Sequence, residues 1–497
     1  MMRQAADKQE TGSSGRPQTA SAGWWLPCCA LALLLSGCGE RAIDLTYVTH
    51  ERMTKLVEPA RAPVLATLSE KFGTPRQPVF AKEWPVDFGQ VDEASLDRRQ
   101  HKEGWKLLAG AELYRVNCVH CHGVSGDGQG PTGRFLNPRP RDFRDGVFKF
   151  TSTGGGMKPS TEDLHRTLSE GIPGTSMPAF LLLGDEKLSL LVNYVKFLTL
   201  RGEMEIKLAS EVAGMGGSQK EIDNNIDGTD EVIAARKKLA DATLAAERDP
   251  AQRQAKEQAE EELQAARNKA LEPILKELKE TLESDYGDSV ESMTELVSEA
   301  WKTADDEENI VVPKKPRTKP DAESIKRGRE LYLSQKAKCL DCHGPTGLGN
   351  GPLTEEFWPQ PGTTPEQKYE VPGLHDMWRQ PQQPRNLVRG VYRGGRRPVD
   401  IYRRIFVGIK GTQMAGFGTA LTEEEIWDLV NFVMSMPYDG KESAQPDIAA
   451  AVQEAPSRPV REQLVGDGRS AAAAVRSATT GASGIGANPT GAAGTAN

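Results

Sequence analysis

The feature that most constrains this chain is the pattern Cys-x-x-Cys-His, which occurs twice. The first copy runs from Cys118 to His122 (CVHCH) and the second from Cys339 to His343 (CLDCH). Two alternatives to a cofactor site are a thioredoxin-like redox pair and one zinc site shared by both pairs. A redox pair does not need the trailing histidine. A shared zinc site would not require two copies of the surrounding sequence, which this chain has.

The pattern is the attachment signature of c-type haem. Each thiol adds across a vinyl group of the porphyrin, and the adjacent histidine is the proximal iron ligand. We therefore predict two covalently bound haem c groups. The predicted attachment residues are Cys118, Cys121, Cys339 and Cys342, and the predicted proximal ligands are His122 and His343.

The sequence around each motif repeats as well. The paired segments, in chain order, are GAELY (110–114) and GRELY (328–332), GVSGDGQGP (123–131) and GPTGLGNGP (344–352), PRDF (140–143) and PRNL (384–387), GTSM (174–177) and GTQM (411–414), and LVNYV (191–195) and LVNFV (429–433). The first and last pairs predict helices. The glycine-rich pair suits tight passage of the backbone around a flat macrocycle. Thr422 and Glu425 predict a capping box before the last helix.

This order of features resembles class I cytochrome c domains, and the resemblance covers under half of the chain. In that family the N- and C-terminal helices pack across each other, and a methionine sulfur takes the sixth iron position. The resemblance implies that His122 and Met177 ligate one iron, and that His343 and Met414 ligate the other.

The methionine assignments have alternatives. A methionine in a glycine-bounded loop can be ordinary core filler. Both copies place the methionine after Gly, Thr and one variable residue, which favours ligation. The second copy lacks the proline that follows Met177, and an insertion before Met414 brings His375 and Met377 as rival ligands.

Axial ligation separates a carrier from an enzyme. An iron with two protein ligands has no vacancy for peroxide, oxygen or nitrite, and His/Met ligation raises the reduction potential. We therefore expect outer-sphere electron transfer in a respiratory chain, with redox proteins as partners and no catalytic residues. The alternative is a diheme peroxidase-like enzyme with one open iron. A third interpretation is the haem-bearing subunit of a membrane respiratory complex.

The N-terminus predicts export. Residues 24–35 form an apolar stretch of about a dozen residues, too short for a bilayer span of about 20 but suited to a signal peptide over 1–37. The LSGC sequence that ends at Cys38 resembles a bacterial lipobox, which implies a lipidated Cys38 and a membrane-anchored protein on the periplasmic side. The alternative is an ordinary secretory signal. Cys28 and Cys29 fall in the signal, so no cysteine is left for a disulfide.

We predict a mainly α chain in which two small all-α domains are separated by a charged helical insertion. The predicted segments are a signal peptide (1–37), a lipid-anchored linker (38–100), cytochrome c domain 1 (101–202), the insertion (203–318), cytochrome c domain 2 (319–440) and a disordered Ala/Gly/Ser-rich tail (441–497). Pro273 should kink or break a helix over 250–284. Such an insertion leaves haem-to-haem transfer within the chain in doubt.

Charge gives a weak indication of partners. The formal net charge of -8 argues against general nucleic-acid binding. From Arg379 to Lys410, however, the sequence contains nine Lys or Arg residues and a single acid, Asp400. Some of these cations suit haem propionates, and the rest predict either a docking face for an acidic redox partner or a solvated loop.

Overall fold

The computed structural model describes residues 45–79, Trp84 and residues 105–438. The predicted signal peptide, Cys38 and the tail over 441–497 lie outside the described residues. The described part is mainly α-helical, as predicted. None of its helices is long and apolar enough to cross a membrane.

Thirteen α-helices and two short strands lie in the described part of the chain. The helices are α1 (Glu51–Thr54), α2 (Glu58–Phe72), α3 (Trp105–Asn117), α4 (Val119–His122), α5 (Thr161–Glu170), α6 (Asp185–Val212), α7 (Gln219–Asp227), α8 (Asp230–Arg248), α9 (Arg253–Lys302), α10 (Ala322–Leu333), α11 (Cys339–His343), α12 (Pro398–Val407) and α13 (Glu423–Ser435). The strands β1 (Leu374–His375) and β2 (Pro381–Gln382) pair antiparallel. We call residues 105–202 module 1 and residues 319–438 module 2.

Each module is built on a crossing of its first and last helices at a glycine. In module 1, a Cβ on Gly110 of α3 would lie 2.6 Å from the Leu190 carbonyl oxygen of α6. In module 2, a Cβ on Gly328 of α10 would clash with the Asp428 carbonyl oxygen of α13. Only glycine lets the two backbones approach this closely. The all-α fold with crossed helices agrees with the sequence prediction.

Local sequence sets where the last helix begins. The Thr422 hydroxyl accepts a hydrogen bond from the Glu425 backbone N–H (3.3 Å), and the Glu425 carboxylate accepts one from the Thr422 N–H (2.8 Å). The predicted capping box is therefore present. It fixes the start of α13, whose apolar face then covers α10.

The insertion is a helical hairpin that folds back on module 1. Helices α8 and α9 run antiparallel, with ion pairs between Lys238 and Glu262 (2.6 Å) and between Lys269 and Glu231 (2.8 Å). Near the end of α9, the buried Trp301 donates its indole N–H to Glu203 of α6 at 2.8 Å. The insertion therefore packs against the last helix of module 1.

The break expected at Pro273 does not occur, because α9 is one helix of 50 residues. A proline removes a single backbone donor, and the flanking residues are strong helix formers. Ala270 and Leu278, on either side of Pro273, are buried. Packing on both sides holds the helix across the missing hydrogen bond.

The predicted linker could pack partly on the first domain, and its described part does so as folded chain. Helix α2 buries Ala60, Val64, Leu68 and Phe72, which recur every four residues and so lie on one face. This face packs beside α6, and the His50 N–H donates to the Glu205 carboxylate of α6 at 2.7 Å. Residues 45–79 therefore extend the core of module 1.

The chain returns from the insertion beside the point where it left. The Val311 N–H donates to the Ser152 carbonyl (2.8 Å), and the Gly154 N–H donates to the Asn309 carbonyl (3.1 Å). Because the insertion loops out and back, module 2 begins next to module 1. Both modules belong to one compact unit that ends at Pro437.

Candidate haem-binding sites

A buried tyrosine anchors the Cys-x-x-Cys-His segment of each module. The Tyr114 hydroxyl donates to the Gly123 carbonyl at 3.0 Å, and the Tyr332 hydroxyl donates to the Gly344 carbonyl at 2.7 Å. Each acceptor is the residue directly after the motif histidine. The first helix of each module thus holds the end of the short motif helix, α4 or α11.

The two motif histidines are held in the same way. His122 Nδ1 lies 3.3 Å from the Arg141 carbonyl oxygen, and His343 Nδ1 lies 3.1 Å from the Arg385 carbonyl oxygen. A carbonyl only accepts, so Nδ1 carries the proton and Nε2 keeps its lone pair for a metal. Burial lowers the pKa of His122 to about 4 and also lowers the pKa of His343. Both imidazoles are therefore neutral, as iron ligation requires.

The methionine loops also match. The Ile172 N–H donates to the Met177 carbonyl (3.1 Å), and the Ile409 N–H donates to the Met414 carbonyl (2.9 Å). Each methionine N–H donates in turn to the threonine hydroxyl two residues earlier, at 3.1 and 3.2 Å. Both methionines are half-buried and pack against the core of their own module.

In module 2 the predicted site residues line one cavity of about 370 Å³. Cys339, Cys342, His343 and Met414 all contribute to its wall. Apolar groups that complete the wall include Tyr332, Ile405, Phe417, Leu429 and Val433. The structure thus brings the whole predicted set of module 2 together around an apolar space.

The rival ligands do not line that cavity. The His375 ring stacks on the Tyr369 ring, with centroids 3.6 Å apart, and its Nδ1 bonds to the Gly373 carbonyl at 2.9 Å. The Met377 side chain is 47% exposed. Both rivals line a separate cavity of about 280 Å³. Their placement leaves Met414 as the methionine that faces the predicted haem space.

The donor chemistry of both modules fits a covalently attached haem. Burial raises the pKa of the Cys118 and Cys339 thiols to about 12. In module 1 the His122 ring stacks on Phe143, with centroids 4.6 Å apart. Thiols, a neutral imidazole and a thioether in apolar surroundings are the groups that hold haem c.

A family model agrees with this geometry. The cytochrome c family model matches residues 107–199 and 325–437. Modules 1 and 2 are cytochrome c domains. No curated protein matches the chain. Among solved structures, a chain of a reducing HAO-like protein complex from Kuenenia stuttgartiensis is 22% identical, with a TM-score of 0.39 over 66% of this chain and 95% of that chain.

The two cytochrome modules contact each other through the segment before Met414 that carries the rival ligands His375 and Met377. The buried Asp376 accepts a hydrogen bond from Lys149 of module 1 at 3.3 Å. The Trp378 indole N–H donates to Asp145 at 2.7 Å, and the Arg141 guanidinium lies 3.5 Å from the centre of the Trp378 ring. Arg141 therefore contacts the second cytochrome module with its side chain and His122 with its carbonyl.

The methionine loops of both cytochrome modules also border this interface. The Lys410 ammonium, just before the Met414 loop, donates to the Thr153 hydroxyl (3.0 Å) and the Met157 carbonyl (2.7 Å). In the other direction, Arg393 donates to the Gly174 carbonyl of the Met177 loop at 3.4 Å. The two cytochrome sites thus share one interface.

The basic run between Arg379 and Lys410 is largely engaged within the chain. At least six of its nine side chains make hydrogen bonds inside the protein: Arg385, Arg393, Arg397, Arg403, Arg404 and Lys410. Three of these six bond to module 1 or to the Val311 segment beside it. The run therefore serves internal contacts more than an open docking face.

The residues that support the ligands were not predicted from the sequence. The carbonyls of Arg141 and Arg385 orient the histidines, and the matching PRDF and PRNL segments were a signal for this role. Lys149 and Asp376 carried no such signal, since their contact joins residues more than 200 positions apart.

Proposed function

We propose that the protein is a diheme c-type cytochrome that mediates outer-sphere electron transfer in a respiratory chain outside the cytoplasm. Its cytochrome c domains imply haem-based electron transfer. The observation that carries the proposal is the shared cavity of Cys339, Cys342, His343 and Met414. The parallel backbone contacts of module 1 support the same role there.

Haem c supplies a one-electron iron couple when it is bound. The protein's own groups would hold and orient it: the four motif cysteines through thioether bonds, His122 and His343 through Nε2, and Met177 and Met414 through sulfur. The Arg141 and Arg385 carbonyls fix the imidazole planes. The apolar wall of the module 2 cavity would keep water away from a bound haem, which limits reorganisation around the site.

The alternative of a peroxidase-like enzyme needs an open iron position opposite one of the histidines. Met414 lines the same cavity as His343, whereas His375 and Met377 line another. This arrangement favours two protein ligands in module 2, so we favour a carrier. The shared interface between the modules supports electron exchange within the chain.

Two further parts of the proposal concern location and partners. We propose that Cys38 is lipidated and anchors the protein to a membrane on the periplasmic side, where redox proteins or a membrane respiratory complex exchange electrons with it. One acyl chain binds marginally and two bind stably, so the protein should stay with membranes through a high-salt wash. Cys38→Ser should release it. Equal partitioning of parent and variant would overturn the anchor.

The haem count tests the central proposal. A pyridine haemochrome assay on purified protein should give two haems per chain, and acidified acetone should extract neither. Cys339→Ala with Cys342→Ala should remove one haem, and Cys118→Ala with Cys121→Ala should remove the other. A single haem per chain, or haem lost to acetone, would contradict the proposal.

A further inference from the structure

The cavity of module 2 is closed in part by module 1. Lys149 and Phe150, both from module 1, belong to its wall. The Phe150 ring packs so closely on Gly394 that a Cβ there would lie 2.5 Å from a ring carbon. Lys149 is only 15% exposed, so its ammonium lies at the edge of the cavity rather than in solvent.

The wall of this cavity has an excess of positive charge. Its cationic residues are Lys149, Lys338, Arg385, Arg393 and Arg404, against the single acid Asp341. The buried Nε of Arg393 has no hydrogen-bond partner. Burial and the neighbouring Arg385 lower the pKa of Arg393 to about 10. Lys149 shares the carboxylate of Asp376 with Arg141, and the half-buried Arg393 has no ion-pair partner among the described residues. Partly buried cations with too little counter-charge are costly, so the cavity favours an anionic occupant.

Lys149 donates to Asp376 at 3.3 Å and to the Gln382 amide oxygen at 2.9 Å, and Gln382 itself lines the cavity. The Lys149 ammonium can turn toward an occupant because Asp376 has other donors. Asp376 also accepts hydrogen bonds from the Gln382 amide (3.0 Å) and from the backbone N–H groups of Trp378 (3.1 Å) and Gln380 (3.0 Å). Asp376 would therefore stay satisfied if the Lys149 ammonium turned toward the cavity.

We propose that module 1 completes the cofactor site of module 2, with Lys149 of module 1 and Arg393 of module 2 binding the carboxylates of that haem. This inference rests on the proposed haem in module 2. Arg393 also bonds to Gly174 in the Met177 loop, so both carboxylate-binding residues join the two modules. Contact between the modules then sets the reduction potential of the second haem.

The test compares Lys149→Met with Lys187→Met, since Lys187 is an exposed lysine of module 1 that does not line the cavity. A positive charge near the iron stabilises the reduced state, so its removal should lower the second haem's midpoint potential. The expected change is about tenfold in the redox equilibrium, or about 59 mV for one electron. Redox titrations with each haem resolved by paramagnetic NMR measure it. Lys149→Arg should restore most of the potential.

The outcomes separate this inference from the proposed function. If both variants hold two haems and Lys149→Met leaves the second potential equal to that of Lys187→Met, the shared site is wrong while the diheme assignment stands. An equal shift of both haems would also overturn it, because it would indicate a general charge effect. If Lys149→Met does not accumulate, Arg393→Gln is titrated instead and must show the same selective decrease. Fewer than two haems in the parent protein would contradict the proposed function itself.

Discussion

The sequence leaves more than one candidate for the sixth iron ligand of module 2, and the geometry favours Met414. Met414 and Met377 are both near the predicted site in the sequence. Only Met414 lines the cavity with His343, while Met377 is nearly half exposed. The two methionines therefore form a matched pair for substitution.

We predict that Met414→Ala removes the thioether ligand of the second haem, whereas Met377→Ala does not. Loss of methionine ligation lowers the reduction potential, because His/Met ligation is what raises it. Met414→Ala should abolish the long-wavelength ferric absorption band of one haem and lower one midpoint potential. If Met377→Ala has this effect and Met414→Ala does not, the assignment is reversed.

How far the sequence predicts the site depends on how local each interaction is. The two cysteines and the histidine of each motif lie within five residues, so the side on which the haem is attached can be predicted without knowing the fold. The methionine assignments rest on the resemblance to class I cytochrome c domains and on the repeat that aligns Met177 with Met414, and they stay predictions. The contacts of Asp376 with Lys149 and Arg141 join distant segments, and no pattern along the chain encodes them.

At the helix crossings, one added Cβ atom would prevent the two helices from packing. Gly328 lies against the backbone of α13, whereas Gly287 in α9 has no other atom within 4 Å of an added Cβ. The same substitution at these two glycines should therefore have opposite effects.

We predict that Gly328→Ala destabilises the protein by about 2–4 kcal/mol, because α10 and α13 must separate or shift to admit a methyl group. Gly287→Ala should stabilise α9 by up to about 1 kcal/mol through helix propensity alone. Urea unfolding followed by circular dichroism measures both. A neutral Gly328→Ala would show that the crossing is not tightly packed.

Helix positions were largely predictable, but their packing partners were not. Apolar spacing and the Thr422 cap predict α13, and the Ala, Glu and Lys content predicts α8 and α9. The sequence does not show that α9 returns to α6, since that depends on the contact of Trp301 with Glu203. The sequence likewise does not show that α9 continues through Pro273, because tertiary packing holds the helix on both sides of it.

Over the whole molecule, the insertion brings the modules together instead of separating them. Because α8 and α9 loop out and return beside Ser152, the Met414 loop can reach module 1. Lys410 makes this contact with two neutral acceptors, the Thr153 hydroxyl and the Met157 carbonyl. Lys410 is thus half-buried between the modules, and no carboxylate in the described part of the chain bonds directly to its ammonium.

The interface should therefore strengthen at high pH. Burial lowers the pKa of Lys410 from 10.5 to about 8; the nearby Lys158 lowers it further and Asp163 opposes the shift. Between these two values the unfolded chain binds a proton that the folded chain does not, so the free energy of unfolding rises with pH. Relative to Lys410→Met, the parent should gain about 1–2 kcal/mol from pH 7 to pH 10, after allowance for solvent screening. Urea unfolding at several pH values measures the difference, in which the titration of other groups cancels.

Lys326→Met, at an exposed lysine of α10, is the control and should give a curve parallel to the parent. Parallel curves for Lys410→Met as well would mean that Lys410 stays charged in the folded protein, and the interface would then have to hold that charge by solvent access.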